Sequence, residues 1–183
     1  MSNFQIKSSD QRGFTLIEMV VAVFAFSIVL ALIGTVFVYA LTSQRRIINA
    51  QKVEENLSFV MESMTREIRV AQPDAQGVFS TLSDACTSAS PAFASTLDFL
   101  NSSGQRIVYS LSGNAVHRSV NGTDSIMNSN SVEFTRLQFC VSGVTVYGKQ
   151  PRITILTSVR SKDTTPQVVE DYQTTVALRY LGI

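Results

Sequence analysis

The sequence predicts an α+β protein in which one long N-terminal helix, apolar along its first half and amphipathic along its second, packs on an antiparallel β-sheet head. Three observations carry that reading. Residues 19–41 are an uncharged, apolar run of 23 residues. Residues 42–72 keep apolar side chains at helical spacing between charged ones. From residue 96 onward the pattern becomes short alternating runs separated by turn residues. No helical unit alternates with these runs, so a doubly wound nucleotide-binding fold is set aside.

As one helix the apolar run reaches about 34 Å at about 1.5 Å per residue, enough to cross a hydrocarbon core about 30 Å thick. Glu18, an acid about one turn inside the start of this segment, calls for a reason. Burying it in lipid costs up to about 3 kcal/mol, less near the interface. A cation at the same depth offsets that cost. If the chain were cut between Gly13 and Phe14, the new α-amino group of Phe14 would lie at that depth and could pair with a carboxylate on an adjacent copy. Gly13 suits such a cut because it has no side chain to hinder a protease at the backbone.

The residues Gly13-Phe14-Thr15-Leu16-Ile17-Glu18, followed by a long apolar run, resemble the processing site of type IV pilins and of the pseudopilins of type II secretion systems. The resemblance implies that a prepilin peptidase cuts after Gly13 and N-methylates Phe14. It also implies that Glu18 pairs with a neighbour's N-terminus during filament assembly. The partners it implies are that peptidase, other minor and major pilin or pseudopilin subunits, an inner-membrane assembly platform and membrane lipid. An uncleaved signal anchor with Glu18 at the interface is the plainer alternative.

Residues 1–13 read as a short polar leader, weakly positive through Lys7, Asp10 and Arg12. That favours a cytoplasmic N-terminus and a single pass with an exported C-terminal part, although Arg45 and Arg46 oppose the bias. A cleaved secretory signal is set aside, since its apolar region runs only about 7 to 15 residues. The organisation expected is a leader at 1–13, a transmembrane and filament-core helix at 14–41, an amphipathic half at 42–72, a loop at 73–95 and a β head at 96–183. The net charge of +1 gives no basic footprint for general nucleic-acid binding.

In the amphipathic half, Val53, Leu57, Val60, Met64, Ile68 and Ala71 recur by fours and threes, and Pro73 supplies a stop. Continuous from Phe14 to Gln72, the helix would extend about 88 Å. This is the pilin-like form, its first half joining a filament core and its second a head domain. Many major pilins carry a proline in the apolar half, whereas here the breaker is Gly34, followed by Thr35. Glycine costs a helix about 1 kcal/mol against about 3 for proline, which leans toward a minor subunit.

Residues 73–95, rich in serine, alanine, threonine and aspartate, read as a long loop, as suited to partner contact as to disorder. Strands are expected at 96–100, 106–111, 115–120, 132–141, 152–160 and 168–180, joined as one antiparallel meander. The stretch from Ile107 to Arg118 resembles the strand-turn-strand of minor pilins. That from Gln173 to Arg179 resembles the closing strand of J-type minor pseudopilins.

Chemistry-bearing residues are few, and no catalytic, cofactor-binding or metal site is expected. His117 is the one histidine and no nucleophile or metal motif accompanies it. Glu170 and Asp171 are neighbours on a strand and face opposite ways, so they do not by themselves build a calcium site. Cys86 and Cys140 are candidates for a disulfide in an exported domain. Their bond would close a loop of about 55 residues, worth about 4 kcal/mol on the chain-entropy estimate. The alternative is a buried thiol at Cys140 and a free one at Cys86. The reading is a non-enzymatic minor pseudopilin of a type II secretion-like machine, held in the inner (cytoplasmic) membrane and then entering a short filament that it primes or caps. A minor pilin of a type IV pilus or DNA-uptake system is the alternative, and a membrane-anchored exported enzyme is the rival class.

Overall fold

The computed structural model describes residues 13–72, 86, 92–143, 150–163 and 166–179. The order is α1 (Leu16–Arg69), β1 (Thr96–Leu100), β2 (Arg106–Ser112), β3 (Ala115–Val120), β4 (Thr123–Ile126), β5 (Val132–Ser142), β6 (Arg152–Ser161) and β7 (Val169–Ala177). The chain divides into two compact units, one ending at Gln44 and one running from Arg45 to Ile183. The leader residues 1–12 and most of the 73–95 segment lie outside the described residues.

In the first unit α1 is long and apolar enough to cross a membrane by length and composition, and among the described residues its apolar window is not buried. Three of its hydroxyls are satisfied within the helix. Ser27, Thr35 and Thr42 donate to the carbonyls of Val23, Ala31 and Val38 at 2.8, 2.8 and 3.0 Å. An apolar helix in lipid can carry these three groups because their polar hydrogens are paired. Gly34 does not interrupt the helix.

In the second unit the buried face of α1 is Asn49, Val53, Val60, Met61, Met64 and Ile68. The helix ends at Arg69, a few residues short of the expected Gln72. Its last turn tightens, Val70 and Ala71 donating three residues back, and Arg179 N–H caps the carbonyl of Arg69 at 3.0 Å. Gln72 then bridges to Leu100, an extended placement that Pro73 favours in the residue before it.

The β half departs from the single meander that was expected. It forms two antiparallel sheets, β1-β2-β3-β4 and β5-β6-β7, because the polar stretch from Asn128 to Ser131 ends one ladder before β5 starts the next. β4 is a strand beyond those expected. Its four residues are all exposed, so no buried face prints an alternating pattern, but Asn121-Gly122 before it carries the hairpin signal. Both have positive φ, 49° and 88°, as a two-residue type I′ turn requires. Gly113 and Asn114, at 56° and 62°, make the same turn between β2 and β3. The last strand stops at Ala177 rather than Tyr180, where the chain leaves β6 to meet the end of α1.

One core joins α1 to both sheets, built on Val53, Val60, Met64 and Ile68 against Leu97, Ile107, Tyr109, Phe134, Phe139, Ile153 and Ile155. A bulge between Phe134 and Arg136 shifts the inward positions of β5 from Val132 and Phe134 to Leu137, Phe139 and Val141. Cys140 is buried as well.

Candidate functional site

The start of α1 is the site the sequence singles out. Thr15 is the N-cap and Glu18 the third helical residue, and the two are reciprocally bonded. The Thr15 backbone N–H donates to Glu18 Oε2 at 2.8 Å and the Thr15 hydroxyl to the same oxygen at 2.9 Å. The backbone N–H of Glu18 returns a bond to Thr15 Oγ1 at 3.3 Å. This is a capping box, which satisfies donors that a helix start otherwise leaves open. Thr15 was legible beside Glu18 in the sequence, since threonine three residues before glutamate is the written signature of the motif.

The box engages one carboxylate oxygen. Oε1 of Glu18 accepts no hydrogen bond among the described residues. Gly13 and Phe14 precede the helix in non-helical backbone, and Phe14 is 85% exposed. A cut between them would therefore break no helical hydrogen bond. A Cβ built on Gly13 would meet nothing within 4 Å, so what glycine offers there is room for an incoming protease rather than fit to the rest of the chain.

The other singled-out residues are scattered. His117 Nδ1 lies 2.5 Å from Asp124 Oδ2 across the β3–β4 hairpin, an imidazole with an orienting acid. No hydroxyl or thiol bonds to it among the described residues. Asp171 reaches Arg136 at 3.4 Å while Glu170 lies on the other face of β7. No cluster of three metal-ligating side chains occurs among the described residues. Cys86 and Cys140 are brought together and bonded, their Cα atoms 5.5 Å apart, with the nearby Ala94–Phe139 bridge holding the same run of chain to β5.

A polar cluster absent from the sequence reading ties α1 to the first sheet. Glu67 accepts from Tyr109 Oη at 2.6 Å, from Arg118 Nε at 3.1 Å and from Arg118 Nη2 at 2.5 Å. Burial, helped by Glu67, pushes the Tyr109 phenol well up. Donating to Glu67 also raises the Arg118 guanidinium.

Residues 8–34 match the family described as the prokaryotic N-terminal methylation motif. The matched span holds Gly13, Phe14, the Thr15–Glu18 box and the first part of the apolar helix. No curated protein and no solved structure matches the chain. The motif and the apolar helix support a type IV pilin-like prepilin signal, a substrate of prepilin peptidase and membrane anchoring. A motif of that kind points to a structural, non-enzymatic protein that assembles with other pilin-like subunits.

Proposed function

We propose that this chain is a minor pseudopilin of a type II secretion-like machine. In this reading the peptidase removes residues 1–13 and N-methylates Phe14, and the chain waits in the inner membrane with residues from about 42 onward exported. It then enters a short filament that it helps to prime or cap, with Glu18 pairing with a neighbour's N-terminus and no catalysis of its own. The observation that carries it is the methylation motif over residues 8–34 set directly on an apolar helix that stands uncovered among the described residues. A surface of that kind is stable in a bilayer or against copies of itself. The free Oε1 of Glu18 supports the pairing role, because the capping box leaves that oxygen open to a neighbour's amine. The helix running through Gly34 without a break supports a minor over a major subunit. A minor pilin of a type IV pilus or DNA-uptake system would share every one of these features, and the neighbouring genes separate the two.

Co-expression with a prepilin peptidase tests the reading. Intact mass should fall by the mass of residues 1–13 and rise by one methyl group on Phe14. Gly13→Val should block both changes by hindering access to the peptide bond. Full processing of that variant would overturn the assignment.

A further inference from the structure

We infer that the groove between α1 and the free edge of β7 is a docking site for an extended, basic segment of another polypeptide, which adds to β7 as a strand. A cavity of about 790 Å³ lies there, lined by the flank of the helix and by Glu170, Tyr172, Thr174 and Val176 of β7. The cause is visible in the register. These four residues sit opposite Val159, Thr157, Ile155 and Ile153 of β6, all fully buried. The helix thus covers the inner face over β6, while over β7 it leaves Glu170 and Tyr172 exposed and buries Val176 alone.

β7 is the outer strand of its sheet, and among the described residues its backbone from Val169 to Ala177 bonds to β6 only. Nine residues of unpaired edge, about 30 Å, are a template for a further strand. The helix flank matches it. Asn49 and Lys52 bond to Pro166 and Asp163 before β7, and Arg69 accepts from Arg179 after it. Residues 50–69 of α1, also about 30 Å long, therefore run in the same direction as β7. A strand added at this edge would send alternate side chains into the cavity, between the sheet and the helix.

Charge selects the occupant. Glu54 and Glu170 both line the groove towards the end where Asn49 and Lys52 bond to Pro166 and Asp163, Arg69 lines it towards the other, and neither glutamate has a hydrogen bond or ion pair among the described residues. Leu57, Met61 and Tyr172 occupy the middle. An inward carboxylate on an edge strand repels an apolar strand and favours one with a lysine or arginine at that end. A second copy fits poorly. Parallel pairing of two β7 edges would set Glu170 and Asp171 beside their own counterparts, which is destabilising.

The test uses the full chain in lipid nanodiscs and a blocked nine-residue peptide of alternating threonine and valine, with one lysine near each end. At tenfold over its dissociation constant the peptide should slow amide exchange in 169–177 about tenfold, leaving β5 unchanged. Glu54→Lys and Glu170→Lys, exposed changes that break no bond, should each reverse the slowing. A matched peptide with glutamates for lysines should have no effect. No slowing at millimolar peptide, or equal slowing by the glutamate peptide, would overturn the proposal. Slowing without peptide that grows with the number of chains per disc would replace it with self-association, whatever the outcome at the N-terminal motif.

Discussion

Replacing Glu67 by alanine is expected to destabilise the Arg45–Ile183 unit by about 2–4 kcal/mol. Three donors converge on this carboxylate, and both ion-pair side chains are only about a quarter exposed, 26% for Arg118 and 25% for Glu67. Removing one partner of a fully buried pair costs about 3–5 kcal/mol; partial exposure lowers this. An unsatisfied phenol on the fully buried Tyr109 adds about 1–3 kcal/mol, and the two penalties overlap because they share one acceptor. Tyr109→Phe should cost less, about 1–2 kcal/mol, since Arg118 still holds Glu67. The assay is urea unfolding of the full chain in non-ionic detergent, followed by the near-UV tyrosine signal of the β half. The double variant should cost less than the sum of the two singles. Strict additivity, or a Glu67→Ala cost within about 0.5 kcal/mol, would refute the idea that this cluster fixes the helix on the sheet. The same residue predicts an alkaline limb. Because the folded phenol titrates above its unfolded value near 10, its stabilisation is fully present below about pH 10. Stability then falls by up to about 1.4 kcal/mol per pH unit until the folded group ionises. Tyr109→Phe should flatten that limb relative to wild type.

Thr15→Val, which keeps the shape and removes the hydroxyl, should cost the helix start about 1 kcal/mol and speed amide exchange at residues 17–19 about fivefold in micelles; Thr15→Ser should restore it. Glu18→Ala should leave removal of residues 1–13 intact yet reduce cross-linking to co-expressed partner subunits. Wild-type cross-linking would argue against a pairing role for the carboxylate. Non-reducing peptide mapping of protein made in an oxidising compartment should show Cys86 linked to Cys140. Reduction should lower stability by at most about 4 kcal/mol, the chain-entropy value for a loop of about 55 residues. Two free thiols in that map would exclude the bond.

What the sequence displayed was whatever repeats along the chain. The stripe from Val53 to Ile68 and the inward alternation of Ile153, Ile155 and Val159 are periodic because each faces one core, and both elements stand within a few residues of their expected places. The division into two sheets was not displayed, since strand partners are set by where polar connections let one ladder stop. β4 has no buried face at all. Its hairpin was nonetheless written in Asn121-Gly122, where positive φ is cheap. Glu67 shows the deeper limit. On the helix it falls among the charged residues of the polar face, and spacing sorts it with Glu54 and Glu62. Only the register that brings Tyr109 opposite Arg118 gives it partners 42 and 51 positions away.

Glu18 shows how a local and an intermolecular role can share one side chain. An acid in an apolar segment invites a search for a cation, and that search overlooks the nearest donors, which belong to Thr15. Those donors answer the hydrogen-bonding demand of Oε2, and Thr15 Oγ1 accepts from the Glu18 N–H in return, but threonine brings no positive charge. The desolvation cost of a carboxylate in lipid is chiefly a cost of charge. The capping box therefore orients Glu18 without neutralising it, and among the described residues it leaves Oε1 without a hydrogen bond. A carboxylate held in place, still charged and half engaged, is a better acceptor for an incoming amine than a mobile one, because its ordering entropy is already spent. On this argument Thr15 is an accessory to the pairing role rather than a competitor to it. Thr15→Val should then weaken cross-linking between subunits in the same direction as Glu18→Ala and by a smaller factor.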